Sequence, residues 1–201
     1  MGRLLKKIEF SLIIGLVFAV MAGAWAQKSQ RELSGKLLRL HVVANSDETD
    51  DQQLKLAVRD KVLEYAAPLL SGVTDAEEAE RIITANLPII TEQARLETLA
   101  LGYDYAVNAE LREEVFPARE YDSFTLPAGA YRALRVTIGE GSGQNWWCVV
   151  FPPLCGDGDF YSTAKEAGLS DSEIALITDG DGVVFKFKVV EIFEKLRNWF
   201  R

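Results

Sequence analysis

The sequence is poor in the side chains from which catalytic and metal sites are usually built. Its 201 residues include one histidine, His41, and two cysteines, Cys148 and Cys155. A single imidazole excludes zinc sites that need two histidines, and two cysteines exclude a four-cysteine zinc site. Any serine or cysteine nucleophile would have to use His41 as its base. We therefore predict no catalytic residue, no metal and no cofactor.

Long low-complexity stretches are also missing, because proline, glycine and aromatic residues occur at ordinary levels. Hydrophobic residues make up 48% of the chain, which is long enough to bury a core without disulfides or metal ions. Acidic residues outnumber basic ones by 30 to 22, so the formal net charge is −8. Such a surface repels nucleic acid and anionic membranes and favours a basic patch on a partner, so we expect no nucleic-acid partner.

The first 26 residues have the parts of an export signal. The basic start contains Arg3, Lys6 and Lys7. An apolar run over residues 10–24 follows, and an Ala-x-Ala exit ending at Ala26 predicts cleavage between Ala26 and Gln27. The alternative is an uncleaved membrane anchor, since residues 8–26 approach the roughly 20 residues of a spanning helix and would be the only membrane contact. Either way the remainder lies outside the cytoplasm, with a net charge of about −10.

Beyond this segment, residues 27–36 are polar and predict a linker, and residues 37–201 predict one globular domain. Residues 37–44 alternate as a strand does. Helical spacing follows from Thr49 to about Gly72, and again from Thr74 to about Leu101. Capping boxes are predicted at the start of both helices, at Thr49 to Gln52 and at Thr74 to Glu77. Pro88 should kink or split the second helix, because it lacks a donor.

After Gly102 the hydrophobic period changes to two, and glycine and proline punctuate the segments. This pattern predicts an antiparallel meander whose most apolar strand is 145–151. A glycine-rich segment, 139–143, precedes that strand and predicts a mobile hairpin loop rather than a phosphate cradle. A short helix over 162–169 and an amphipathic C-terminal helix over 185–200 complete the prediction. The fold class is therefore α+β, an antiparallel sheet with helices packed on one face, preceded by an N-terminal hydrophobic helix.

Cys148 and Cys155 are separated by six residues that include two prolines. In an exported protein such a pair favours a disulfide over a metal site. A nucleophilic Cys148 using His41 as its base is the enzymatic alternative, but no third orienting group is evident. His41 alone is typical of a side chain on the first strand.

Trp146 and Trp147 are adjacent on the predicted last strand, so their side chains should lie on opposite faces. One indole can then enter the core while the other is exposed, where tryptophan often anchors a partner. Packing of both indoles in the fold is the alternative.

Two segments together resemble one protein family. The first runs from Leu40-His41-Val42-Val43-Ala44-Asn45-Ser46-Asp47 to Val58-Arg59-Asp60, and the second is Asn145-Trp146-Trp147-Cys148-Val149-Val150-Phe151-Pro152-Pro153-Leu154-Cys155. Both are similar to stage II sporulation protein R of endospore-forming bacteria. The N-terminal export segment also fits that family.

The resemblance implies a signal rather than a catalyst. Proteins of this family are exported from the forespore into the space between the two membranes of the sporangium. There they trigger a membrane-embedded aspartic protease of the mother cell, which processes the pro-form of a sigma factor. On this hypothesis the partner contacts are made by a turn, the start of a helix and the last strand. The residues concerned are Asn45, Ser46, Asp47, Asp51, Gln52, Trp146 and Trp147.

Two other classes remain open on the sequence alone. A secreted enzyme acting on cell wall or peptide would need a converging acid and base pair. A binding module for envelope components would need only the open face of the sheet.

Overall fold

The computed structural model describes residues 2–154 and 159–178, which form five helices and six strands. The helices are α1 (Gly2–Ser34), α2 (Thr49–Leu69), α3 (Ala76–Ala100), α4 (Phe160–Glu166) and α5 (Asp171–Thr178). The strands are β1 (Leu38–Val43), β2 (Val107–Phe116), β3 (Arg119–Glu120), β4 (Thr125–Leu126), β5 (Gly129–Ile138) and β6 (Asn145–Phe151).

Four strands form the main sheet in the order β2-β5-β1-β6, and β3 pairs with β4 in a separate hairpin. The α+β class is confirmed, and α2 and α3 pack on one face of the sheet. Two of the three strand pairs in the main sheet are antiparallel, as expected, whereas β1 and β5 are parallel. The parallel pairing of β1 with β5 makes the sheet mixed. The strand β1 also separates β5 from β6, two strands that a meander would place side by side.

The core between sheet and helices is built from alternate strand residues and one stripe of each helix. Leu40 and Val42 of β1 face this layer and are fully buried, as are Val58 and Val62 of α2. Each fully buried side chain of this size contributes about 1.5–3 kcal/mol relative to an exposed one. The core therefore fixes β1 beneath α2.

Pro88 does not divide the second helix, so the predicted split into two pieces is wrong, whereas the predicted kink stays a prediction. The helix α3 runs through Pro88 as one element. Proline costs one backbone hydrogen bond in a helix interior. Ile83 and Ile90, on either side of it, are both fully buried in the core, and their burial holds the two halves of the helix in place.

The capping predictions differ from the structure by one residue. Glu48 is the N-cap of α2 and makes no side-chain cap, while the Gln52 amide donates to the carbonyl of Ser46 at 2.8 Å. In α3 the N-cap is Asp75, whose Oδ1 accepts from the backbone N–H of Glu78 at 2.8 Å. The Asp75 carboxylate therefore caps the helix, which is the role that the sequence predicts for the Thr74 hydroxyl.

The N-terminal helix α1 continues through residues 27–34, which the sequence predicts as a linker. Leu33 near its end is fully buried against the domain. Residues Glu9–Ser34 are long and apolar enough to cross a membrane, by length and composition. The helix fits a signal or an anchor, and its last turns belong to the globular fold.

After β6, the predicted helix over 162–169 corresponds to α4, whose N-cap is Asp159. The helix α5 was not predicted from the sequence, although Ile174 and Ile177 on one side of it are buried. The predicted C-terminal helix over 185–200 lies outside the described residues.

The second face of the sheet buries an arginine at its centre. Arg39 of β1 is fully buried, with its guanidinium carbon 4.0 Å from the ring centre of Phe116. Its Nη2 donates to the Tyr121 hydroxyl at 2.6 Å, and its Nε and Nη1 have no hydrogen-bond acceptor among the described residues. Burial lowers the pKa of Arg39 from its usual value. Aromatic faces attract a cation by about 2 kcal/mol or more when water is excluded, which only partly offsets the loss of hydration.

We expect Arg39→Met to raise the free energy of unfolding by about 1 kcal/mol, because an apolar side chain of similar volume needs no acceptors. Arg39→Ala should lower the same quantity by about 2 kcal/mol, since it leaves a cavity. Urea unfolding of the full chain in detergent micelles, followed by tryptophan fluorescence, measures both values. A Met variant less stable than the parent would show that the guanidinium gains more from its neighbours than its desolvation costs.

Candidate interaction surface

Five of the predicted contact residues meet where β1 joins α2, and we call them the turn cluster. Asn45, Ser46 and Asp47 lie in the turn, and Asp51 and Gln52 lie near the start of α2. Asp51 is its centre and is 4% exposed. Its Oδ2 accepts from the Asn45 amide at 2.8 Å and from the Ser46 hydroxyl at 2.6 Å. The carboxylate therefore binds the end of the strand to the start of the helix.

The turn cluster also holds the glycine-rich loop between β5 and β6. Asn45 Oδ1 accepts from the backbone N–H of Glu140 at 2.9 Å. Asp47 Oδ1 accepts from the N–H of Gln144 at 2.8 Å. A Cβ at Gly143 would overlap the Ser46 carbonyl, so the close approach requires glycine there. The hydrogen bonds to Asn45 and Asp47 thus hold the glycine-rich loop against the turn cluster.

The environment of Asp51 keeps its carboxylate charged. Burial alone raises its pKa, but the hydrogen bonds from Ser46 and Asn45 act in the opposite direction and prevail, so the pKa of Asp51 lies below its ordinary value. The side chains of Asp51, Asn45 and Ser46 already have partners within the chain. Their role in the structure is to shape the turn.

The two tryptophans of β6 lie on opposite faces of the sheet, as the sequence predicts. Trp146 is 37% exposed and lies on the helix side, where the guanidinium of Arg59 in α2 stands 4.3 Å from the ring. Trp147 is half-buried on the other face and stacks on His41 with ring centres 5.8 Å apart. The predicted contact residues therefore divide between two sides of the strand.

A groove runs beside Trp147, between β6 and the β3–β4 hairpin. Its volume is about 390 Å³. The exposed Arg119 places its guanidinium 4.7 Å from the Trp147 ring, and Phe124 stacks on Tyr121 with ring centres 4.6 Å apart. Half-buried aromatics beside an arginine are typical of the anchors of protein interfaces. We call this feature the Trp147 groove, and its lining includes Arg119, Tyr121, Asp122, Phe124, Trp147 and Leu154.

His41 lies next to this groove with both ring nitrogens engaged. Nδ1 is 2.8 Å from Glu114 Oε2, and Nε2 is 2.7 Å from Asn145 Oδ1. Arg135 also pairs with Glu114. Burial raises the pKa of Glu114, but the His41 and Arg135 contacts outweigh it and the net shift is downwards. These contacts give His41 a structural role on β1.

Cys148 lies on the other side of the sheet from His41. In the register of β1 and β6, Cys148 lies directly opposite Leu40 on the neighbouring strand, and Trp147 lies opposite His41. Successive strand residues point to opposite faces, so Cys148 and His41 do not form a nucleophile and base pair. Cys155 lies outside the described residues, and its disulfide with Cys148 stays a prediction.

The sequence predicts the turn cluster and both tryptophans as contacts, which stays a prediction, and it does not indicate the other residues that line the groove. Arg119 and Tyr121 come from the β3–β4 hairpin, where two-residue strands give almost no periodic signal. The Asp122-Ser123 pair between two aromatic residues is a turn signal that could have located the hairpin. Its packing against β6 depends on tertiary structure.

Asp51→Asn should lower the free energy of unfolding at neutral pH by about 1–3 kcal/mol, because a neutral amide oxygen accepts the hydrogen bonds from Asn45 and Ser46 more weakly than a charged carboxylate does. The pKa of Asp51 in the folded chain lies below the unfolded value of about 3.9. The ionised carboxylate therefore stabilises the fold fully above about pH 3.9, and this contribution is lost as the pH falls through the folded pKa. The difference from the parent should therefore shrink below about pH 4. Urea unfolding at several pH values measures it.

Asp50→Asn is the matched control, because Asp50 is the exposed neighbour on the same turn of α2. Its effect should stay within about 0.5 kcal/mol. Equal effects of the two substitutions would contradict the central role of Asp51.

Comparison with known proteins places the turn cluster and β6 within one family. The family model described as Stage II sporulation protein R matches residues 34–159. The Stage II sporulation protein R of Bacillus subtilis (strain 168) is 36% identical over 149 residues, which cover 73% of this chain and 66% of that relative. The match thus spans slightly less than two thirds of the relative's length. No solved structure matches the chain. The chain belongs to the stage II sporulation protein R family.

Proposed function

We propose that this sporulation protein is an exported signal that passes from the forespore to the mother cell. In this proposal it activates a membrane-embedded aspartic protease, which then processes the pro-form of the mother-cell sigma factor. The protein itself carries out no chemistry. The secreted domain acts in the space between the two membranes.

The observation that carries the proposal is the family match over residues 34–159, which includes both the turn cluster and the Trp147 groove. The N-terminal helix supports export, because its apolar segment fits a signal or an anchor. Engagement of both His41 nitrogens by Glu114 and Asn145 supports a role as a binder rather than as a hydrolase.

Activation by binding needs a difference in affinity between two states of the protease. A difference of about 2–3 kcal/mol in favour of an active dimeric arrangement would raise its population relative to the inactive one by roughly 30- to 150-fold. An interface of ordinary size supplies such a difference when a few aromatic anchors are buried in it.

The exposed parts of the surface suggest how the contact is divided. Trp146, Trp147 and Arg119 present aromatic and cationic groups at the start of β6 and at the groove. Asp47 and Glu48 are exposed on the neighbouring turn. We assign the direct contacts to these residues, while Asn45, Ser46 and Asp51 hold them in place from within the turn cluster.

Co-expression in a non-sporulating cell tests the function. The exported chain, the membrane-embedded protease and its pro-sigma substrate should together yield the shortened sigma factor, detected by immunoblot. Omitting the exported chain should abolish processing, because the inactive arrangement of the protease then prevails.

A catalytically inactive protease serves as the control, because the exported chain should then give no processing. Processing without the exported chain, or none when all three are present, would contradict the proposed role. Binding of the chain to isolated envelope material under those conditions would favour an envelope-binding module instead.

Trp147→Ala and Arg119→Ala should each reduce processing in this assay at least tenfold, since truncation of an interface anchor costs about 2 kcal/mol or more. The readout is the ratio of mature to precursor sigma factor at equal levels of the exported chain. Arg95→Ala is the matched control, because Arg95 is an exposed arginine of α3 that pairs with Glu92 and lies outside the groove.

Circular dichroism and urea unfolding of the variants separate loss of contact from loss of fold. Full processing by a folded Trp147→Ala variant and a folded Arg119→Ala variant would exclude the groove as the contact site. It would leave the signalling role itself untouched.

A further inference from the structure

The strand β2 forms one edge of the sheet in the described part of the chain. It spans ten residues, and along its whole length it pairs with β5 on one side. Within residues 2–154 and 159–178, no other strand pairs with β2. A long unpaired edge is a template for another strand, which proteins usually blunt with charges, bulges or a covering element.

The register identifies which backbone groups point outward. The N–H of Gly139 donates to the carbonyl of Ala106 at 2.8 Å, so this directly opposed pair is hydrogen-bonded. Bonded pairs alternate along an antiparallel ladder, so the even-numbered residues of β2 bond to β5. The N–H and C=O groups of the odd-numbered residues therefore face outward. These residues are Val107, Ala109, Leu111, Glu113 and Val115.

The side chains along this edge combine charge with an exposed apolar end. Glu110 and Arg112 form an ion pair at 3.1 Å on the face away from the helices, and each side chain is about half exposed. Val115 is 82% exposed near the end of the strand. Opposite charges two residues apart, with a valine near each end, form a pattern that can complement itself.

An antiparallel copy centred on Leu111 satisfies this pattern. Val107 of each copy then lies opposite Val115 of the other, and Glu110 opposite Arg112, each twice. Directly opposed residues have Cβ atoms about 4.5–5.5 Å apart, close enough for both ion pairs and both valine contacts. The outward groups of the odd-numbered residues meet one another, as the ladder requires.

Neighbouring symmetric registers are worse. A centre at Glu110, Arg112 or Glu113 places that charged residue directly against its own copy, and like charges in this position are destabilising. A centre at Ala109 shortens the ladder and leaves Arg112 without an opposed acid. The charge pattern therefore selects the Leu111 register.

We propose that two copies of this chain associate through β2 in an antiparallel, two-fold arrangement centred on Leu111, which joins their main sheets into one continuous sheet. Such an interface is isologous, so each contact occurs twice. The inference does not depend on the proposed function, because it concerns only whether two copies of the chain associate.

Sedimentation of the full chain in density-matched detergent micelles tests the association. We expect a reversible dimer. Arg112→Glu should weaken it at least tenfold, because the introduced carboxylate would repel Glu110 of the opposite copy, and this contact occurs twice. The double variant Glu110→Arg/Arg112→Glu should restore it, since the pairs are exchanged but kept. Arg95→Glu also breaks an exposed ion pair, but one on α3, and should leave the dimer unchanged.

Cysteine cross-linking tests the register. Leu111→Cys should form a disulfide-linked dimer, because opposed residues lie within the limit of about 7 Å between Cα atoms. Ala109→Cys alone should not, since its copy is displaced by four residues, about 14 Å along the strand. Mixing Ala109→Cys with Glu113→Cys chains should give the cross-link that neither gives alone.

A chain that is monomeric at every concentration overturns the proposal. So does a dimer that Arg112→Glu leaves intact, or one that Leu111→Cys fails to cross-link. The parent chain with its two native cysteines is the background control for cross-linking.

Discussion

The burial of β1 on both faces is the constraint on which the other contacts of the sheet depend. A strand with one face in a core needs only alternating apolar residues, but this strand also buries Arg39 and His41 on its second face. Each buried polar group needs partners, and they come from distant segments of the chain. Glu114 of β2 and Asn145 of β6 satisfy His41, and the hairpin brings Tyr121 to Arg39. The hairpin and the strands β2 and β6 thus each supply a partner to one of two polar residues of the central strand.

The same strand ends in the turn cluster, so the two candidate contact regions are mechanically connected. Asp51 fixes the turn from the helix side, and Asp47 reaches the residue just before β6. A displacement of the turn would therefore move the strand that carries Trp146 and Trp147. The sheet's two edges have different roles in these proposals. In the first proposal β6 contacts the protease, and in the second β2 contacts a second copy of the chain. Taken together, the two proposals describe a two-fold activator that presents two identical surfaces to a dimeric protease.

The sequence predicted the elements whose hydrophobic period is long and undisturbed. The strand β1, the helices α2 and α3, and the opposite orientations of Trp146 and Trp147 all follow from local periodicity. Strand order does not, because the parallel pairing of β1 with β5 depends on non-local contacts between residues about 90 positions apart. Local sequence also fails at Pro88, where it predicts a helix break. Burial of Ile83 and Ile90 in the core outweighs that local preference, and α3 continues through Pro88. In the contact region the sequence supplied the residue types, and the structure separated buried members such as Asp51 from exposed ones such as Trp146.

The helix α1 passes from the apolar segment into the fold without a break, and Leu33 is buried at its end. No loop separates the two parts within residues 2–34. If the segment stays in the bilayer, the tilt of this continuous helix would set the angle of the sheet to the membrane and the height of Trp147 above it. If the segment is removed, the cut between Ala26 and Gln27 falls inside a helix, whereas proteases favour exposed and flexible chain. Removal then has to precede docking of the last turns, so the order of folding and cutting decides whether the signal is released or held.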